Sequence, residues 1–169
     1  MKAFYIALLD YFEANQNRFT DLNLKPIKHI DFYAGQDQDP ESFPNLFFPS
    51  LLFSWSINYE TEPATVNLEF RIVFENLRDT SNLSQNKEKA LLFFDMAKLV
   101  DNLLKEMDIE ELGALHLVFE GLETQPTVTD VYLLNYEANI CKLKTRTRTY
   151  LEVDIEELEL AGELKTKKP

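Results

Sequence analysis

Two segments of this chain alternate so cleanly that the backbone has little choice. In residues 50–59, Leu51, Phe53, Trp55, Ile57 and Tyr59 share one face, and Leu52, Ser54, Ser56 and Asn58 share the other. In residues 64–75, Val66, Leu68, Phe70, Ile72 and Phe74 alternate with Thr65, Asn67, Glu69, Arg71 and Glu75. Side chains on a strand point alternately to its two faces, so a period of two predicts two strands, each with an apolar inner face. Only a short break at Pro63 separates them, which predicts an antiparallel pair packed on a core by one face.

An apolar sheet face needs a cover, and the chain writes two amphipathic helices. In residues 2–18, Phe4, Ala7, Leu8, Tyr11 and Phe12 fall on one side at three- and four-residue spacing. In residues 86–107, Ala90, Phe93, Phe94, Ala97, Val100, Leu104 and Met107 form a second stripe, with Ser84 as a candidate cap and Gly113 beyond the end. Further strands are predicted at 27–33, 114–121 and 128–140. Pro26, the Gly-, Asp- and Pro-containing segment 34–44 and Gln125-Pro126 mark the turns. The order is helix, three strands, helix, two or three strands. It predicts an α+β fold: a mostly antiparallel sheet with two main helices on one face, plus an extended C-terminal β arm. No repeat or linker divides the chain, so residues 1–140 read as the core, 141–160 as a charged arm of the same domain, and 161–169 as a frayed tail.

The arm carries the most unusual pattern. Between residues 141 and 156 every even position is polar: Lys142, Lys144, Arg146, Arg148, Tyr150, Glu152, Asp154 and Glu156. The odd positions hold Leu143, three threonines, Leu151, Val153 and Ile155. The polar row is basic before Tyr150 and acidic after it. No Gly, Pro or Asn interrupts the run, so no tight turn is written into it. Extended, it spans roughly 50 Å. A compact chain of this length has a radius of gyration of about 15 Å and a diameter near 40 Å, so the arm is expected to project. If two copies pair antiparallel about Tyr150, Arg148 faces Glu152, Arg146 faces Asp154 and Lys144 faces Glu156, each pair contributing roughly 0.2–1 kcal/mol. An offset pairing around a ring matches the same signs. An outer strand kept soluble by its charges within its own sheet, or a hairpin bent near Tyr150, accounts for the same residues.

The totals narrow the function classes. The chain has 169 residues, enough for one sizeable core, and a formal charge of −12. Affinity for nucleic acid phosphates comes from Lys and Arg, so specific nucleic-acid binding is not expected; the charge reads first as simple solubility, although an acidic surface also suits a channel through which DNA slides. With one cysteine, Cys141, no internal disulfide is possible, which points to a reducing cytoplasm. No stretch reaches the roughly 20 apolar residues of a membrane helix. The apolar start of the chain meets Asp10 and Glu13 without a small-residue cleavage site, so it does not read as a signal peptide.

Catalytic and metal-binding patterns find little support. His29 beside Asp31, and His116 near Val118 and Glu120, have no second histidine or cysteine at metal spacing. Cys141 has no glycine-rich elbow or helix N-terminus to lower its pKa. Asp37, Asp39 and Glu41 alternate as in a calcium loop, but the glycine at position six is missing and position twelve is Phe48. Asp108, Glu110 and Glu111 read as a solvated connection. The four glycines build neither a Walker loop nor a dinucleotide fingerprint. The expectation is a protein that is not an enzyme, with no catalytic residues, metal or cofactor.

The layout also resembles a known family. A helix over 2–18 leads to His29-Ile30-Asp31-Phe32-Tyr33. Then come Phe48-Pro49-Ser50-Leu51-Leu52-Phe53-Ser54-Trp55, the strand 66–75, the helix 86–107 and the strand 128–140. Over roughly residues 2–140 this order is similar to that of bacteriophage tail-terminator and tail-completion proteins, while the long arm departs from their simplest form. The resemblance implies a multimeric ring that caps the tail tube and joins it to the head connector without catalysis. Copies of itself, tail tube and head-connector proteins would be the partners, and the host cytoplasm and then the virion the location. With either a ring or a dimer, the interface residues would be Lys144, Arg146, Arg148, Tyr150, Glu152, Asp154 and Glu156. A small module binding another protein through its sheet face or arm is the other reading of the residues.

Overall fold

The computed structural model describes residues 1–43, 46–74, 81, 83–85, 87–109, 111–124 and 129–140. The first helical stripe forms α1 (Lys2–Ala14) and α2 (Gln16–Asp21), one helix more than its periodicity predicts. The break is at Asn15, whose side-chain amide donates to the Tyr11 carbonyl at 2.8 Å. Short amides compete in this way with the helix's own ladder. α2 ends where Asn23 takes a left-handed φ of +58°. The Leu24 N–H then reaches the Phe19 carbonyl (2.9 Å), the Asn23 N–H reaches that of Thr20 (3.0 Å), and Phe19 and Leu24 are both buried. This is a Schellman stop with asparagine in place of glycine.

The strands follow as β1 (His29–Phe32), β2 (Ser50–Asn58) and β3 (Thr65–Phe74). The second stripe is likewise divided, into α3 (Lys87–Ala90) and α4 (Leu92–Glu106). β4 (His116–Leu122) and β5 (Asp130–Asn139) complete the described chain. The five strands form one sheet in the order β1-β2-β3-β5-β4. β2 and β3 pair antiparallel as their alternation requires, with Phe53 opposite Phe70 and Ile57 opposite Val66. β3–β5 and β5–β4 are also antiparallel, whereas β1 runs parallel to β2. The fold is thus α+β with a mixed, mostly antiparallel sheet.

The core lies between the sheet and the helices. Phe70, Ile72, Val66 and Leu134 meet Phe4, Leu8, Phe19, Val100 and Leu103, all fully buried. Phe53 stacks on Phe70 with ring centres 5.5 Å apart. Phe94, expected in the α4 stripe, is instead 49% exposed at the rim, while Met96, Leu99 and Leu103 are buried. A parallel neighbour requires a crossover. Here the connection between β1 and β2 packs on the sheet face away from the helices. Tyr33, Leu46 and Phe48 from that connection cover Leu52, Val73 and Val131. The first half of β2, Ser50 to Phe53, is therefore buried on both faces. Beyond it Trp55 (40%) and Tyr59 (66%) are exposed, although their spacing places them with the core residues.

Candidate assembly surface

The interface residues read from the sequence, Lys144, Arg146, Arg148, Tyr150, Glu152, Asp154 and Glu156, lie outside the described residues, as does Cys141. What the structure describes is the body to which the arm is attached. Two sheet edges and one polar face are its distinctive surfaces.

Neighbouring side chains cap most of the β1 edge. The Tyr33 N–H donates to the Phe53 carbonyl at 2.8 Å, so Tyr33 and Asp31 turn their backbone groups toward β2. Alternation then points those of Ile30 and Phe32 away from the sheet. The Phe32 N–H is taken by Asp31 Oδ1 (2.7 Å) and the Phe32 carbonyl by Gln36 Nε2 (2.8 Å). The Tyr5 hydroxyl reaches the Ile30 carbonyl at 3.4 Å. Local partners of this kind blunt an edge strand against further pairing. Beside them Phe32 packs among Tyr5, Phe53 and Trp55, with ring centres 4.6, 5.1 and 5.2 Å away.

The β4 edge is different. A bulge between Leu117 and Phe119 leaves Val118 without an opposite residue on β5. Val118, Phe119 and Leu122 are 54%, 50% and 48% exposed. Glu123 donates its N–H to the Val131 carbonyl at 2.9 Å. Alternation therefore turns Gly121 toward β5, and Glu120 and Leu122 away from it.

On the face away from the helices, one arginine organises the polar groups. Arg71 Nε donates to Asp37 Oδ2 at 3.0 Å, Nη1 to Glu69 Oε1 at 2.9 Å and Nη2 to Glu123 Oε2 at 2.9 Å. Its guanidinium lies 4.4 Å from the centre of the Tyr33 ring. Asp37 is completely buried and Arg71 nearly so. Burial disfavours the Arg71 charge, but hydrogen bonds to Glu69 and Asp37 and the Asp37 charge outweigh it, holding its pKa above the ordinary value. Alongside lies a shallow cleft of about 360 Å³ lined by Ser54, Ser56, Asn67, Glu69, Asn135 and their neighbours.

The candidates for chemistry do not converge. His29 Nε2 is 3.7 Å from Asp31 Oδ2 on β1, while His116 stands exposed on β4. These are opposite margins of a five-stranded sheet, some four strand spacings or roughly 19 Å apart. Asp37 turns inward to Arg71, whereas Asp39 accepts the Ser42 hydroxyl at 2.6 Å and Glu41 faces solvent. The alternate carboxylates thus diverge. Asp108 and Glu111 are exposed, the latter 4.0 Å from the chain's amino group. Among the described residues no three His, Cys, Asp or Glu side chains are grouped to hold a metal ion, and no helix is long and apolar enough to cross a membrane. The arginine cluster escaped sequence reading because Arg71 sits at a regular outward position. The crossing loop that buries it leaves no local signal. No protein-family model matches this chain, and no curated protein matches it.

Proposed function

We propose that this protein is a self-assembling structural subunit, a ring-forming tail terminator or head–tail joining protein of a phage or prophage. The observation that supports the reading is a described core that spans Phe4 to Ala138, followed in the sequence by a run of matched opposite charges. If that run is extended, as its alternation predicts, pairing with another molecule would satisfy its backbone. The element order over residues 2–140 supports the phage assignment, and the −12 charge suits a lumen that lets DNA pass.

Light scattering after size exclusion tests assembly, in the presence and absence of tail tube protein. Arg146→Glu with Arg148→Glu weakens self-association, and adding Glu152→Lys with Asp154→Lys restores it. Equal assembly by both variants excludes charge matching. Neighbouring genes for tail tube and head proteins support the phage role, and a metabolic neighbourhood argues against it. A second reading, a protein-binding module, has its own support in the half-exposed Phe32 and Trp55 beside Tyr5. Binding unaffected by arm charges but lost in Phe32→Ser favours that module.

A further inference from the structure

We propose that the outer edge of β4 is the docking strand for the basic half of the arm, residues 142–148, of a second copy of this chain. The inference rests on the assembly reading above and names the surface it uses.

Four observations converge on this edge. First, it is open where the other is mostly capped. Glu120 and Leu122 direct their N–H and carbonyl groups outward, and among the described residues nothing receives them, whereas Asp31, Gln36 and Tyr5 satisfy three of the four outward groups of Ile30 and Phe32 on β1. Second, Val118, Phe119 and Leu122 leave apolar surface beside those free groups, which an added strand would cover. Third, lengths and charges agree. β4 has 7 residues, and the basic half of the arm covers the same length. Exposed carboxylates flank the edge on both faces, Glu120 on the helix side and Glu137 on the other, while Glu123 is already paired with Arg71. Lys142, Lys144, Arg146 and Arg148 share one face of an extended strand, so whichever way they face they meet one of these carboxylates, while Glu152, Asp154 and Glu156 would be repelled.

The fourth observation is the course of the chain. Ile140 bridges antiparallel to Leu112, and the Gly113 N–H reaches the Asn139 carbonyl at 2.8 Å. The described chain therefore ends past the His116 end of β4, heading away from it. To lie on its own β4, the arm would have to reverse around residues 112–115, and no Gly, Pro or Asn between 141 and 156 provides that turn. A neighbouring copy is the occupant that the path favours.

Directed cross-linking in the full-length chain with Cys141→Ser tests this. One population carries Leu122→Cys; the other carries Thr147→Cys or Arg148→Cys, one on each face of the arm. Mixing and mild oxidation should give a covalent dimer that reductant dissolves and that is lost when the edge cysteine is moved to β1 as Phe32→Cys. Circular dichroism checks that each variant is folded. A chain carrying both cysteines that closes on itself as a monomer overturns the second-copy assignment. An oligomer by light scattering with no β4 cross-link, or with equal cross-linking at β1, overturns the edge while leaving the assembly reading intact. A chain monomeric at every concentration overturns both.

Discussion

Arg71 stands at a position that its strand's alternation marks as solvent-facing, yet the loop from β1 buries it among Asp37, Glu69 and Glu123. It joins three parts of the chain: the crossing loop, β3 and the end of β4. Removing one member of a buried ion pair leaves an uncompensated charge, so Arg71→Met is expected to destabilise the fold by about 3–5 kcal/mol, measured by urea unfolding. A second buried polar group has a pH consequence. The Tyr136 hydroxyl donates to Asp101 Oδ1 at 2.7 Å. Burial first, and then that bond and the Asp101 charge, raise its pKa far above the usual tyrosine value. The folded protein keeps this proton while the unfolded chain releases it above pH about 10. Stability should therefore hold through neutral pH and fall above pH 10, by up to about 1.4 kcal/mol per pH unit for this group. Tyr136→Phe should flatten that slope in denaturation curves taken across alkaline pH.

Each helical stripe is interrupted once, at Asn15 and at Leu91, and in both cases the apolar spacing runs on through the break. Periodicity reports which residues face the sheet and is nearly blind to a one-residue interruption. Helices α2 and α4 are also tied at the surface, where the Arg18 guanidinium makes a two-bond clamp on the Glu106 carboxylate, the Nη2–Oε1 bond being 3.1 Å. The hydrogen bond from Arg18, followed by its charge, holds the Glu106 pKa below its ordinary value. The helix stop at Asn23 can be tested alone. Asn23→Ala places a side chain with no polar compensation at positive φ and should cost about 1–2 kcal/mol, whereas Asn23→Gly should be close to neutral in thermal melts. Inside the sheet–helix layer, Phe70→Ala removes a fully buried ring packed between Phe4, Phe53 and Tyr136. A loss of about 3–5 kcal/mol is expected by the same denaturation measurement.

At the scale of the whole molecule, charge decides what is testable. The chain carries −12 overall, so copies repel one another at long range, and any association through the arm depends on local pairing of opposite signs. Such contacts are screened within about 10 Å at 0.1 M salt and about 3 Å at 1 M. An oligomer held by the arm should therefore dissociate, by light scattering, as salt rises over that range. Assembly that strengthens with salt would point instead to the apolar patch around Phe32.

Alternation in residues 50–59 and 64–75 was enough to establish two strands, their antiparallel pairing and the buried face of β3, because a half-buried strand writes its period into neighbouring residues. The helix stripes announced a cover for that face in the same way. Other features depend on residues far apart in the chain. The parallel partnership of β1 with β2, the burial of Asp37 against Arg71, the exposure of Trp55 and the contrast between a mostly capped and an open sheet edge all follow from where a loop crosses and where a helix stops. Local patterning selects an element and its inner side. Only packing between distant segments decides which outward positions meet water, which meet protein, and which are left for a partner.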